Sequence, residues 1–496
     1  MRERRCSAAQ REQQRMRQGH DNASPRPIRH RRLPLPGLGQ ARRGPRNVGQ
    51  CPIHRVGLDL SSPHEFPRFF GECGDRSAKA VRAGRGFILG VPKPEDRAMH
   101  ASTILRCCIG EALDGLHASR CRRLLGAVEA LVAGRRLSLT ELARQWPGAD
   151  RVHAPLKALD RLLSNKHLHA ESADLQRAMV ARLLQGMRQP TLQVDWSSLK
   201  RDGRWALLRA SVAMGGRAMP VHEQVFPIEH TNQPEAQQRF LQQLAELLPS
   251  DGRPILVTDA GFRSDWFRAV QAQGWDYVGR LRNNTHVSAL EVDDWTPCGT
   301  LHAKATAQPT DLGRRRIVKG QPWICRMILF RGPRAGRDKL TRTGQPEQSH
   351  LSKKARSAAR EPWLLVTSLS ADTHCSERIV AAYRTRMQIE EAFRDLKSHR
   401  YGVGFTDSLT RKPERAGVLL LLNRLASFAA WLMTIAARST RSVDPLARQK
   451  SHMKRYSAWR RGLEWLRIKR LPQDIRDGIE AALDALLERN LPVAML

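Results

Sequence analysis

The sequence lacks the cysteine patterns that staple small domains. Its nine cysteines include an adjacent pair, Cys107-Cys108, but no C-x-x-C spacing, so neither a zinc-finger nor a disulfide framework is expected and the thiols read as reduced. The opening Met1-Arg2-Glu3-Arg4-Arg5 is followed by no apolar stretch, and no secretory signal is expected. No apolar run of membrane-spanning length goes uninterrupted. Ala416 to Ala437 comes nearest, but Asn423 and Arg424 sit in its middle, where a charge is expensive in a bilayer. A buried core helix fits better, and no membrane partner is expected. Acid is also scarce. There are 48 Asp and Glu against 84 Lys and Arg, a net charge of +36, and such a chain binds polyanions through phosphate contacts. A basic protein without a nucleic-acid role is the remaining alternative. At 496 residues and 41% hydrophobic content, there is enough chain for two or three domains with a buried core.

Residues 1–98 are rich in Arg, Pro and Gly, with 21 Lys and Arg against 9 Asp and Glu, and show no sustained periodicity. They read as a disordered extension, as a DNA-binding arm, or as sequence ahead of a true translation start at Met99, the reading we favour. Residues 99–190 are helical in pattern. Cys121 to Ala133 carries apolar residues at helix spacing and should stop at Gly134. Ser138 and Glu141 form a capping box, and a further helix should run from about Val152 to Leu163. Two short helices joined by a tight turn fit a DNA-reading helix-turn-helix or a plain bundle equally well.

From Thr191 the period becomes that of strands. A first strand spans Leu192 to Trp196, and a hairpin of Trp205–Met214 with Met219–Phe226 turns at Gly215-Gly216. A helix at Glu235–Leu248 and a doubly buried strand at Pro254–Thr258 follow, then a helix at Trp266–Ala272 and a strand at Asp276–Leu281. This order predicts a mixed α/β sheet. Residues 283–361 break the alternation with a β-rich insertion that ends in a basic loop containing Arg331, Arg334, Arg337, Lys339, Arg342, Lys353, Lys354 and Arg356. The loop suits a solvated face or a phosphate grip. A strand at Trp363–Thr367 and one long helix from about Ser376 to His399, closed by Gly402, complete a domain spanning 191–405. Residues 406–496 are helical, including Val418–Ala436 and Ile475–Leu487.

Two-metal phosphodiester chemistry needs carboxylates that converge from separate elements. Asp195 lies within the first strand and Asp259 at the end of the apolar strand, where ligand-facing residues gather in open α/β sheets. Alone, each is weak, because an Asp at a strand end is more often a turn or cap residue. Tyr383, Arg386, Glu390 and Lys397 are spaced to share one stripe of a helix. A phenol, a guanidinium, a carboxylate and an ammonium make a poor core face. They suit a surface that holds metal and phosphate, or an exposed stripe with ordinary ion pairs. Glu391 lies about 100° off the stripe.

The spacing Tyr383-x-x-Arg386-x-x-x-Glu390-x-x-x-x-x-x-Lys397 resembles the Y-R-E-K signature of the insertion sequence four family of cut-and-paste transposases. Asp195-Trp196-Ser197 resembles the family's first Asp strand. Thr258-Asp259-Ala260-Gly261-Phe262 resembles its second Asp motif, with Ala260 where Arg is common, and Tyr277-Val278-Gly279-Arg280 resembles the strand after it. The likeness runs from about Met99 to the C-terminus. It implies a ribonuclease-H-like mixed sheet with a β-rich insertion, preceded by a helical DNA-end-binding domain and followed by C-terminal helices that pair two subunits.

By the same resemblance Asp195, Asp259 and Glu390 would be catalytic and bind Mg²⁺, with Mn²⁺ able to replace it. Tyr383 and Arg386 would hold DNA backbone near a flipped base, with Arg280 in the same region, and Lys397 would hold another phosphate. Trp363, one residue off the family spacing, would stack on the DNA hairpin or serve as a core tryptophan. The implied partners are double-stranded DNA at element ends, target DNA and a second copy of the chain, in a bacterial cytoplasm at the nucleoid. The implied reaction is cleavage, hairpin formation and strand transfer. A stand-alone nuclease on this fold and a DNA-binding relic without catalysis are the competing readings.

Overall fold

The first helices form where apolar spacing and capping side chains agree. The computed structural model describes residues 100–440, 456–468 and 472–488, except 201, 283–284, 333–340, 342–344, 351, 354–356 and 358–359. The extension 1–98, the start at Met99 and most of the basic loop lie outside the described residues. Helices α1 (Ala101–Asp114), α2 (Ala118–Gly134), α3 (Leu139–Arg144), α4 (His153–Leu163) and α5 (Lys166–Leu184) come first. Ser138 Oγ accepts the Glu141 N–H at 3.4 Å, as the capping box predicts, and α3 packs against both α2 and α4. Helix α2 runs through Gly134 rather than stopping before it, and Arg135 takes the left-handed cap (φ 53). Gly134 answers a packing need instead: a Cβ there would lie 2.7 Å from Gln145 Cγ.

Next come β1 (Thr191–Ser198), β2 (Trp205–Ala213), β3 (Ala218–Pro227), α6 (Pro234–Leu247), β4 (Ile255–Thr258), α7 (Ser264–Ala272) and β5 (Asp276–Leu281). The chain turns between β2 and β3 through Gly215 (φ 62) and Gly216 (φ 96), angles that favour glycine. β1 pairs antiparallel with β2 and parallel with β4, and β4 is parallel to β5. All four residues of β4 are buried, as a central parallel strand requires.

The β-rich insertion does not stand apart from this sheet. It supplies β6 (His286–Ser288), β7 (Thr296–Pro297), a 3-10 turn at Cys298–Lys304, β8 (Thr310–Ile317) and β9 (Trp323–Phe330), and β10 (Trp363–Thr367) follows. β10 pairs antiparallel with both β5 and β9. The described strands therefore form one sheet in the order β3-β2-β1-β4-β5-β10-β9-β8-β6-β7, a mixed sheet flanked by helices and consistent with a ribonuclease-H-like transposase fold.

The expected single helix at Ser376–His399 is two, α8 (Ser376–Arg384) and α9 (Met387–Lys397). Thr385 causes the break. Its Oγ1 donates back to the Ala382 carbonyl at 2.7 Å and accepts from Gln193 Nε2 on β1 at 2.9 Å. The backbone tightens there, with Gln388 N bonded to Thr385 O and Ile389 N to Arg386 O. Helix α9 is capped at Ser398. Gly402 lets the returning chain pass, since a Cβ at Gly402 would fall on the Asp395 carbonyl.

Helices α10 (Pro413–Ser439), α11 (Ala458–Trp465) and α12 (Gln473–Glu488) complete the described chain. α10 is long and apolar enough to cross a bilayer, but its apolar window is wholly buried among other elements. The two polar residues in its middle explain why it belongs there. Arg424, 2% exposed, meets Glu223 on β3 at 2.8 Å, and Arg209 on β2 meets the same carboxylate at 2.6 Å. Burial alone would raise the Glu223 carboxyl, but the two guanidiniums hold it below its usual range. Removing that carboxylate strands two buried cations. Glu223→Gln should therefore destabilise the protein by about 3–5 kcal/mol in denaturant unfolding, and a loss under about 1 kcal/mol would mean that the triad does not tie α10 to the sheet.

Candidate active site

Asp195 and Asp259 reach the same end of the sheet because their strands are parallel neighbours. Val194 on β1 lies opposite Thr258 on β4, so the next residue of each strand is an aspartate. Each carboxylate is aimed by the local backbone: Asp195 Oδ1 accepts the Trp196 N–H at 2.8 Å, and Asp259 Oδ1 accepts the Gly261 N–H at 2.8 Å. Burial pushes the Asp195 carboxyl up to about 7, helped by Asp259 and Glu390, with Arg386 opposing. An acid raised by its neighbours in this way favours a cation beside it.

The cation present is Arg386. Its position at the start of α9, just past the Thr385 break, puts its guanidinium 2.6 Å from Glu390 and 3.5 Å from Asp195. Burial disfavours its charge, but Tyr383, Glu390 and Asp195 outweigh that and push it above its ordinary value. Among the described residues, no three acidic, His or Cys side chains close into a metal-sized group. Glu390 is instead turned onto Arg386, which joins it to Asp195.

Tyr383, at the end of α8, is only 4% exposed. Burial raises its phenol, while Arg386 and a hydrogen bond with Arg280 lower it. Its ring packs edge-on against Trp363 with centroids 4.9 Å apart, and Trp363 also meets Phe330 at 5.7 Å. Arg280, 12% exposed on its side chain, is held 3.3 Å from Glu361. Tyr383, Trp363 and Arg280 thus form a packed wall behind the carboxylates, and Trp363 is half-buried in it. Glu361 was not singled out from the sequence; a lone acid closing a basic stretch was the available signal.

Lys397 faces the open side. Its ammonium donates to Ser197 Oγ at 2.8 Å and the Ser198 carbonyl at 3.3 Å. Burial and Arg209 lower its pKa against the pull of Asp195. It lines an open cleft of about 1350 Å³ that also contains Asp195, Glu390, Lys200, Arg394, Arg400 and Arg411. Apart from Lys397, these cations were missed in the sequence: Arg394 sits on α9 one turn past Glu390, while Lys200, Arg400 and Arg411 come from loops and follow no local period. The structure therefore unites all eight predicted residues in one region, five around the carboxylates, two behind Tyr383, and Lys397 at the cleft.

Residues 187–428 match the family model of the transposase DDE domain. That stretch of the chain is similar to a transposase DDE domain. That match supports a transposase, an enzyme whose substrate is DNA. The DDE domain spans β1 through most of α10 and so includes Asp195, Asp259 and Glu390. No curated protein matches the chain.

The raised Asp195 carboxyl makes a stability prediction for the DDE domain without added metal. Because its folded pKa lies above the unfolded value, the contribution is favourable below about pH 4, is lost between about 4 and 7, and stays lost above that. Asp195→Asn should therefore raise the melting temperature by several degrees at about pH 8 and give no gain at about pH 3. An equal shift at both pH values would show that Asp195 is not strained by its neighbours.

Proposed function

We propose that the chain is the transposase of an insertion sequence of the Y-R-E-K type, which cuts its element's ends and inserts them into target DNA by a cut-and-paste route through a hairpin. The observation that carries this reading is the pair Asp195, within β1, and Asp259, just past the end of the parallel neighbour β4, linked through Arg386 to Glu390. Hydrolysis at the element end, attack of the freed 3′-OH on the opposite strand, and attack on target DNA are all displacements at phosphorus, so one site serves each.

The donor set suits a hard divalent cation such as Mg²⁺, or Mn²⁺ in its place, because three carboxylates offer only oxygen and Asp195 is buried among like charges. Such a cation supplies Lewis acidity and neutralises charge at the phosphate. Asp195, Asp259 and Glu390 would hold it. For Glu390 to join the aspartates its ion pair with Arg386 must open, which frees that guanidinium for a DNA phosphate. Lys397 already faces the cleft and takes another phosphate. Tyr383 and Arg280 steady Arg386 from behind, and Trp363 offers the exposed part of its ring to a base.

Helices α3 and α4 and their neighbours in 99–190 read the element end, and a homodimer holds two ends together. The enzyme works in the bacterial cytoplasm, at the nucleoid when bound to DNA. Mg²⁺-dependent cleavage of a duplex bearing the flanking element's end tests this reading. Glu390→Ala, Asp195→Asn and Asp259→Asn should each cost at least about 10³-fold in cutting, and chelation should abolish it. Hairpin-ended products should appear on denaturing gels. Cutting that survives Glu390→Ala would remove it from the metal site, nicked linear ends alone would leave a nuclease, and no cutting by the intact chain would leave a DNA-binding relic.

A further inference from the structure

The segment after α9 forms one wall of the cleft, and the reading above gives it no task. Ser408 and Thr410 are buried, at 2% and 8% exposure, while Leu409 between them is 91% exposed. The backbone that presents this side chain is anchored on both sides. Lys200 Nζ donates to the carbonyls of Ser408 and Thr410, and Trp205 Nε1 donates to the Arg411 carbonyl at 3.0 Å. Exposed leucines are common on protein surfaces. This one differs in lining the same cleft as Asp195 and Glu390, together with Lys200, Arg394, Lys397 and Arg411 and the acids Asp202 and Asp407.

We propose that Leu409 is an apolar wedge that enters the base stack of DNA lying in this cleft and opens the step beside the phosphate offered to the carboxylates. The inference rests on the transposase reading and adds a residue to it. The Lys and Arg side chains that line the cleft with the leucine suit the phosphate backbones of a duplex, and the part of a duplex that can bury an aliphatic side chain is its base faces and groove edges. Inserting a leucine between base pairs unstacks them and bends the duplex, which costs free energy. A yielding loop would retreat from that cost. The clamp from Lys200 and Trp205 on the flanking carbonyls holds the leucine at a set depth. Opening a step at this point also frees a base to leave the stack. Leu409 is thus a positioning residue, acting on the shape of the DNA rather than on the reacting atoms.

The test uses the full chain with chelator present and a duplex of the element's end carrying 2-aminopurine at the cleavage step. Its fluorescence should rise when the unaltered protein binds. Leu409→Ala removes no packing contact, so folding should be unaffected. It should bind the paired duplex about tenfold more weakly and give no fluorescence rise, and Leu409→Met should restore both. A duplex already mismatched at that step should rescue Leu409→Ala but not Arg411→Ala, because a mismatch replaces unstacking and not charge. Unchanged affinity and fluorescence for Leu409→Ala, with salt-sensitive binding by the unaltered protein, overturns the wedge and leaves the transposase reading standing. Failure of the unaltered protein to bind any duplex overturns both. Binding through Leu409 to a protein partner instead, with no fluorescence change on DNA, also overturns the wedge.

Discussion

Two carboxylates set side by side on neighbouring parallel strands, Asp195 within β1 and Asp259 just past β4, repel one another, and much of the surrounding structure manages that repulsion. Asp195 and Asp259 are set side by side by the β1–β4 register, and Glu390 is brought to the same end by α9. Arg386 compensates with a guanidinium between Asp195 and Glu390. The position of that guanidinium depends on the tightened turn at Thr385, which depends on Gln193 one strand residue away from Val194. A change at any of these points alters how much charge the site carries before DNA arrives.

Behind the site, charge reaches into the interior in a second way. The Arg209–Glu223–Arg424 group joins β2, β3 and α10, and the Arg209 guanidinium lies 4.5 Å over the Phe393 ring on α9. The Lys397 ammonium is 5.9 Å from that same ring. One phenyl ring thus meets both a buried structural cation and one that faces the cleft, and the long C-terminal helix is mechanically part of the support for α9.

Much of this architecture could be read from local chemistry. The apolar run at Ile255–Thr258, the Gly215-Gly216 turn, the Ser138 cap and the strand at Trp363–Thr367 carry their own signals, and the structure has each where the pattern puts it. The break between α8 and α9 had no such signal. It contains neither Pro nor Gly, and Gln193, which holds the Thr385 hydroxyl there, lies far away in the chain. The joining of the insertion to the main sheet was hidden for the same reason, since pairing between β9 and β10 is non-local. At the site, each aspartate alone was ambiguous, and the Tyr383-to-Lys397 spacing supplied the discrimination. Burial of Tyr383 and the hold of Glu361 on Arg280 depend on side chains meeting across the sheet, which spacing cannot show.

The chain enters the insertion after Leu281 and comes back from it with Leu364 paired opposite that same residue. Departure and return points are therefore neighbours in space, however much chain lies between them. Closing a longer excursion costs only slowly more entropy. The separation in sequence between the second aspartate and the glutamate is free to drift by lineage or by design, while β5 and β10 keep the frame of the carboxylates in register. This part of the chain is a place where a transposase can acquire new contacts without rebuilding its chemistry.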